Sequence, residues 1–238
     1  TVFVVENRRK YGLGFITRFW SSSVSCPEAS RMRWMTNITS GRPASYSSNT
    51  SAIGRWIAQG SMPSRPTLDA LQKRILQTNT GFINIWTLFE PNALDGRDAE
   101  FANTPHHDRS GRYVPYFTRK PDGSISQEIL GGGKGEVLEY DRPGDGDYYL
   151  VPKQRGVDTV LEPYEYDVAG QKMLLSSFVA PVKDSNGRFI GAAGVDVPLS
   201  GVQAALSQVK PFELGYVSVL SNGGVYIANP DAAKLGKP

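Results

Sequence analysis

Apolar residues recur at two different periods between residues 64 and 238, and the two periods predict both helices and strands. The helical period after Pro66 predicts a helix over residues 66–78, since proline is tolerated in a first helical turn. The apolar residues of that helix are Leu68, Leu71, Ile75 and Leu76. A second helix is predicted after Pro198. Its apolar face consists of Leu199, Val202, Leu206 and Val209.

Short apolar runs bounded by Gly, Pro, Asn and Asp predict a series of strands. Residues 82–89 form one run, and residues 113–118 form a short aromatic one. The turn sequence Asp-Ser-Asn-Gly at residues 184–187 separates two apolar runs and indicates a hairpin. Other strands are predicted at residues 148–151, 160–162, 172–179, 189–195, 216–220 and 225–228. The predicted fold class is α+β, an antiparallel sheet flanked by helices.

Residues 1–60 show neither period and differ from the rest of the chain in charge. They contain eight basic and two acidic residues, a charge of +6, against 18 basic and 21 acidic residues in the remainder, a charge of −3. The basic residues are scattered among serines and form no stripe with aromatics, which disfavours nucleic-acid binding. No stretch approaches 18 consecutive apolar residues, so no transmembrane helix is predicted within the chain.

The sequence offers few groups for catalysis or metal binding. Cys26 is the single cysteine, and the two histidines are adjacent at His106 and His107, which excludes a multi-cysteine zinc site and a His-rich centre. The carboxylates of Glu90, Asp95 and Asp98 share one loop, but Asp95-Gly96 is more simply a turn. No phosphate loop, dinucleotide fingerprint or nucleophile motif is present. We therefore predict no catalytic residues, no metal ligands and no cofactor.

Aromatic residues are dense between residues 113 and 166, and their role has two interpretations. Tyrosine favours strands for packing reasons, but it also suits binding pockets because it has a flat apolar face and a polar tip. Asp196 follows an apolar strand and precedes Pro198, where the backbone is expected to leave the sheet. Its carboxylate could cap the next helix or stand at the mouth of a cavity, and the pattern alone leaves both open.

Four stretches of the chain match, in order, those of a known family. They are residues 89–98 (FEPNALDGRD), 111–117 (GRYVPYF), 162–170 (EPYEYDVAG) and 181–196 (PVKDSNGRFIGAAGVD). Across about 170 residues the chain resembles the double Cache (dCache) extracytoplasmic sensor domains of bacterial methyl-accepting chemotaxis receptors.

This resemblance implies a domain organisation. Residues 61–210 would form a membrane-distal PAS-like Cache module, and residues 211–238 would begin the membrane-proximal module. The family places a long dimerisation helix before the first module, but residues 1–60 lack its pattern. We interpret residues 1–60 as an atypical N-terminal segment, either a reading-frame artefact or a divergent form of the helix region.

The resemblance also implies a ligand site, and the departures from the family pattern modify it. The aspartate that closes the last strand, here Asp196, binds ligand in the family. Amino-acid-sensing members have an arginine where this chain has Val114, although Arg112 is near, and an aspartate where it has Tyr166. An amino acid needs both of its charges met, since an unpaired buried charge is costly. These departures argue against an α-amino acid ligand.

The resulting hypothesis is a sensor domain that is not an enzyme and binds a small nitrogenous molecule, either a purine derivative or an organic amine. The predicted ligand-binding residues are Trp86, Tyr116, Phe117, Tyr164, Tyr166 and Asp196. The resemblance further implies a periplasmic location, a homodimer in the intact receptor, and membrane attachment only through helices absent from this chain. A histidine kinase or cyclic-dinucleotide enzyme could have the same kind of sensor, and a soluble solute-binding protein or a hydrolase is less favoured.

Overall fold

The computed structural model describes residues 2–6, 17–18, 62–131, 139–168, 170–210 and 215–238. The strands in these ranges are β1 (Val2–Glu6), β2 (Thr17–Arg18), β3 (Asn84–Phe89), β4 (Pro115–Arg119), β5 (Ile125–Ile129), β6 (Thr159–Val160), β7 (Tyr164–Val168), β8 (Gln171–Lys183), β9 (Phe189–Pro198), β10 (Tyr216–Leu220) and β11 (Tyr226–Ala228). The helices are α1 (Arg65–Thr78), α2 (Asp98–Phe101), α3 (Asp147–Arg155) and α4 (Leu199–Ser207), with 3₁₀ turns at Glu139–Asp141 and Ala232–Lys234.

The chain divides into two compact units. The larger comprises residues 44–161 and 177–197, and the smaller comprises residues 1–43, 162–176 and 198–238. The α+β class is therefore confirmed: an antiparallel sheet of order β5-β4-β3-β9-β8-β6 is combined with helices. Helices α1, α2 and α3 lie in the larger unit, as does the sheet apart from residues 171–176 of β8 and Pro198 of β9.

Helix α1 begins and ends within one residue of the prediction. Ser64 caps its start by accepting a hydrogen bond from the Thr67 N–H at 3.4 Å, and Pro66 lies in its first turn. Asn79 ends it by donating both its backbone N–H and its side-chain amide to the Ile75 carbonyl. The helix packs on one face of the sheet, because Leu68 shares a buried cluster with Phe89 and Tyr113.

Arg65, at the start of α1, fixes the loop that follows β3. Its guanidinium donates to both carboxylate oxygens of Asp95, at 2.9 and 3.0 Å, to Asp98 at 2.6 Å and to the Gly111 carbonyl at 2.6 Å. The hydrogen bond from Arg65 lowers the pKa of Asp95, and burial opposes that shift only in part. The carboxylates in this loop therefore form a structural ion-pair network.

The segment 148–151, predicted as a strand, lies instead in helix α3. Asp147 is at its amino end, Lys153 and Arg155 are in its last turn, and Gly156 ends it in the left-handed conformation. The acidic residue at the start and the basic residues at the end interact favourably with the helix dipole, and the Gly156 N–H bonds one of the last carbonyls. These local interactions outweigh the β-propensity of two tyrosines and a valine. Strands β5 and β7 were not predicted. The residues of β5, ISQEI, show no regular alternation of apolar and polar residues, whereas those of β7, YEYDV, do alternate and carried a strand signal that was not used.

In the smaller unit, α4 packs Leu199, Val202 and Leu206 against Val219 and Ala228, as its predicted apolar face requires. The sheet beside it has the order β11-β10-β1-β2. Strand β1 pairs with β10 from Val2↔Leu220 to Glu6↔Tyr216, so residues 1–60, which showed no strand pattern, contribute two strands. The rest of residues 1–60 lies outside the described residues.

Replacing Gly111, whose carbonyl accepts a hydrogen bond from Arg65, should lower the free energy of unfolding more than replacing a glycine in open space. It has a φ of +74°, and a Cβ there would overlap the Asp98 carbonyl. Gly123 has a similar φ of +83° with nothing within 4 Å, so Gly123→Ala isolates the backbone cost of about 1–2 kcal/mol. Gly111→Ala should reduce the free energy of unfolding by about 1–3 kcal/mol more, because of the overlap. Equal losses in urea denaturation would contradict this account.

Candidate functional site

Two rows of side chains cross one face of the sheet in the larger unit. Strand register places Tyr116 beside Trp86 and Trp86 beside Gly194, which forms an aromatic row. One step along, it places Thr118 beside Asn84 and Asn84 beside Asp196, which forms a polar row. Side chains two residues apart on a strand share a face, so both rows lie on the same side.

The aromatic row is closely packed. The indole of Trp86 lies against Gly194, where a Cβ would overlap the ring, so glycine is required there by space. Tyr148 of α3 meets the indole edge-on, with ring centroids 5.3 Å apart. Helix α3 therefore supplies an aromatic side chain to the same face that bears Trp86 and Tyr116.

Asp196 anchors the polar row and is only 3% exposed. Its Oδ1 accepts hydrogen bonds from Ser177 Oγ at 2.7 Å and from Trp86 Nε1 at 3.2 Å. Its Oδ2 accepts one from Asn84 Nδ2 at 3.1 Å. No ion pair to Asp196 is found in the part of the chain that the structure describes. This carboxylate is thus buried among neutral donors.

Burial raises the pKa of Asp196 above its ordinary value, although the hydrogen bonds from Ser177, Trp86 and Asn84 oppose the shift. A carboxylate in this setting favours a partner that brings positive charge or further N–H donors.

The expectation that the chain leaves the sheet at Asp196 is wrong. Strand β9 continues to Pro198, Asp196 pairs with Asn84, and its carbonyl accepts from the Ile83 N–H at 3.0 Å. Helix α4 has Pro198 at its N-cap and no side-chain cap. The carboxylate is therefore held by the sheet and is not a helix cap.

Three of the six predicted ligand-binding residues come together on this face: Trp86, Tyr116 and Asp196. Phe117 is fully buried on the opposite face, where Lys73 of α1 lies 5.3 Å from its ring, because adjacent strand residues alternate. Tyr164 and Tyr166 lie on β7 in the smaller unit, half-buried, with ring centroids 6.2 Å apart.

Four residues of this face were not singled out from the sequence: Asn84, Tyr148, Ser177 and Gly194. Asn84 offered a usable signal, since it is a polar residue inside an otherwise apolar run, FINIWTLF. Ser177 and Gly194 offered none, because their role depends on which strands become neighbours.

Arg112, the candidate clamp for a ligand carboxylate, already has protein partners. Its Nε donates to the Phe89 carbonyl at 3.0 Å, and its guanidinium lies 4.8 Å from the Tyr140 ring. Asp141 is 3.9 Å from Nη1. Arg112 therefore contributes to the packing of the loops that follow β3 and precede α3. Within the described ranges, no group of three or more His, Cys, Asp or Glu side chains could hold a metal ion.

Comparisons with known proteins agree on one family. The chain is 32% identical over 184 residues to the methyl-accepting chemotaxis protein TlpQ of Pseudomonas aeruginosa, covering 73% of this chain and 25% of that receptor. The chain thus spans about a quarter of the receptor's length. No protein-family model matches the chain.

Solved structures give the same result. The extracellular domain of mmHK1S-Z2, described as a histidine kinase, is 30% identical with a TM-score of 0.66, over 88% of this chain and 74% of that one. That of mmHK1S-Z3, described likewise, is 34% identical with a TM-score of 0.62, over 74% and 59%. Methyl-accepting chemotaxis protein X is 25% identical with a TM-score of 0.61, over 88% and 76%.

The sequence identity and the shared helix-flanked antiparallel sheet place the chain in the class of sensor domains. The chain belongs to the Cache-type family of sensor domains found in bacterial chemoreceptors and histidine kinases. The resemblance read from the sequence is confirmed.

The raised pKa of Asp196 predicts a specific pH dependence of stability. Unfolded, this carboxyl ionises near pH 3.9, whereas the folded protein retains the proton to higher pH, so its contribution to stability falls as pH rises through that window. Relative to the wild type, Asp196→Asn should therefore gain in free energy of unfolding as the pH rises above about 4, measured by urea denaturation.

Asp184→Asn is the matched control. The backbone N–H groups of Arg188 and Asn186 hold the pKa of Asp184 below its usual value, so the wild type gains stability from Asp184 as pH rises. That contribution is complete once the pH exceeds about 4, so Asp184→Asn should show no change relative to the wild type over the range in which Asp196→Asn gains. The same slope for both variants would show that Asp196 is not desolvated as described.

Proposed function

We propose that this chain is the ligand-binding sensor domain of a transmembrane chemoreceptor and that it acts in signal transduction, not catalysis. The observation that supports the proposal is the buried carboxylate of Asp196 beside the Trp86 and Tyr116 rings, on the sheet of a sensor-family fold. The identity to TlpQ favours a chemotaxis output. Among the described residues, no helix combines the length and apolar character needed to cross a membrane.

The proposed location is periplasmic, in a receptor that is attached to the membrane through transmembrane helices. In the intact receptor the domain would act as a homodimer, joined through a helix preceding the first module. No nucleic-acid partner is proposed. The likeness to mmHK1S-Z2 and mmHK1S-Z3 favours one alternative, the sensor domain of a histidine kinase.

The proposed ligand is a small nitrogenous molecule, a purine derivative or an organic amine. Asp196 has no cationic partner in the described part of the chain, so a ligand with N–H donors or a positive charge would satisfy it. Trp86 and Tyr116 are almost fully buried, and we expect a ligand that enters this face to place a flat ring or a cation against their rings. Arg112 is engaged by Phe89 and Tyr140, which supports a ligand without a carboxylate.

The larger unit supplies Trp86, Tyr116 and Asp196 to this proposal. Tyr164 and Tyr166, predicted from the sequence as ligand contacts, lie on strand β7 of the smaller unit and are not part of the site proposed on the larger one. Phe117 is no longer included, because its ring lies on the face covered by α1.

Screening purines, amines and L-amino acids by thermal shift, followed by calorimetry of the hits, tests the ligand class. We expect purines or amines to bind the wild type, and Asp196→Ala to weaken that binding by about tenfold or more, since hydrogen bonds to a charged group contribute about 1.5–3 kcal/mol. Asp145→Ala removes an exposed carboxylate whose partner is Arg142 and should leave affinity unchanged.

Two results would overturn the proposed ligand class. Unchanged affinity in Asp196→Ala would remove the aspartate from the site. Tight binding of an ordinary L-amino acid would show that Val114 and Tyr166 do not exclude such ligands.

A further inference from the structure

Asn84 is a fully buried amide with only one end bonded. Its exposed fraction is 0%, and its Nδ2 donates to Asp196 Oδ2 at 3.1 Å. Its Oδ1 is buried and has no hydrogen-bond partner in the part of the chain that the structure describes. Buried amide oxygens in native proteins are nearly always bonded, so such an atom requires an explanation.

The hydrogen bonds around Asn84 leave acceptors in excess. Ser177, Trp86 and Asn84 each donate to Asp196, which accepts all three bonds. An ionised carboxylate has about four acceptor positions, so Asp196 retains capacity on Oδ2, where one bond is made. Beside it, the Asn84 carbonyl is a second acceptor. Together, Asn84 and Asp196 therefore offer more acceptor positions than the hydrogen bonds they accept.

We propose that Asn84 is a ligand-binding residue that determines specificity: its side-chain carbonyl accepts an N–H from the ligand while Asp196 accepts another. The inference rests on the proposed function and adds the number of donors. A ligand of this site would have at least two N–H bonds at one end, as in a primary ammonium group or the amino edge of a heterocycle. Methylation of that nitrogen would remove the bond to Asn84.

A purely structural role for Asn84 predicts something different. If Asn84 only held Asp196 in place, its removal would weaken every ligand by the same factor. Ser177→Ala provides the matched comparison. The Ser177 side chain also donates one hydrogen bond to Asp196, but it has no amide oxygen comparable to the unbonded Oδ1 of Asn84.

The experiment uses two probe pairs that differ in N–H donors. Tyramine is compared with N,N-dimethyltyramine, and adenine with N6-methyladenine; the methylated nitrogen keeps one N–H in each case. Calorimetry measures affinity for the wild type, Asn84→Ala, Asn84→Ser and Ser177→Ala, and circular dichroism melting verifies that each variant folds.

In the wild type, the unmethylated probe of a pair that binds should have an affinity about tenfold higher than that of its methylated partner. This factor is the one expected for a single hydrogen bond from a charged or polarised donor. The ratio should approach one in Asn84→Ala. Ser177→Ala should weaken both members equally and keep the ratio. If Asn84→Ala fails to fold, Asn84→Ser takes its place as the variant without the amide. The affinity ratio in the wild type tests the inference without any variant.

The outcomes separate this inference from the function on which it rests. A wild-type ratio near one, or a ratio that persists in the Asn84 variants, overturns the role of Asn84 and leaves the sensor function intact. Failure of all four probes to bind the wild type overturns the proposed ligand class, and this inference with it.

Discussion

The buried carboxylate of Asp196 is the interaction on which the proposed site depends. It joins strands β3, β8 and β9, because Asn84 and Trp86 come from the first, Ser177 from the second and Asp196 from the third. Burying a carboxylate without a cation is costly, and three neutral hydrogen bonds offset that cost in part. A desolvated carboxylate of this kind is enriched at functional sites, and this is the reason for placing the proposed ligand site on this face.

The opposite face of the same sheet has the ordinary role of a core. Phe89 and Leu68 pack there with Tyr113, and Phe117 is fully buried under α1. The strands β3, β4 and β9 thus support core packing on one side and present the proposed ligand site on the other. Alternation along a strand makes this division possible, since each residue step changes the face.

Loops around the site are held by charged groups that do not face it. Arg65 binds Asp95, Asp98 and the Gly111 carbonyl, while Arg112 binds the Phe89 carbonyl. Lys153 of α3 bonds Glu90 at 2.7 Å, and Tyr149 also donates to Glu90. Despite the opposing effect of burial, these two donors hold the pKa of Glu90 below its usual value. Helix α3, which brings Tyr148 to Trp86, is therefore tied to the end of β3.

Features that depend on local interactions could be predicted from the amino-acid pattern. The bounds of α1 follow from Ser64, Pro66 and Asn79, and the turn at residues 184–187 follows from its own residues; each depends on neighbours in the chain. The family was recognisable from four ordered stretches, and Asp196 was singled out. Only the tertiary structure placed residues 148–151 in a helix, separated Phe117 from Tyr116, engaged Arg112 with Phe89 and Tyr140, and left the Asn84 carbonyl unbonded. Those features depend on which distant strands become neighbours and on which donors are already used. Asn84 and Asp196, for example, pair across more than 100 residues, and such pairing leaves no local signal in the chain.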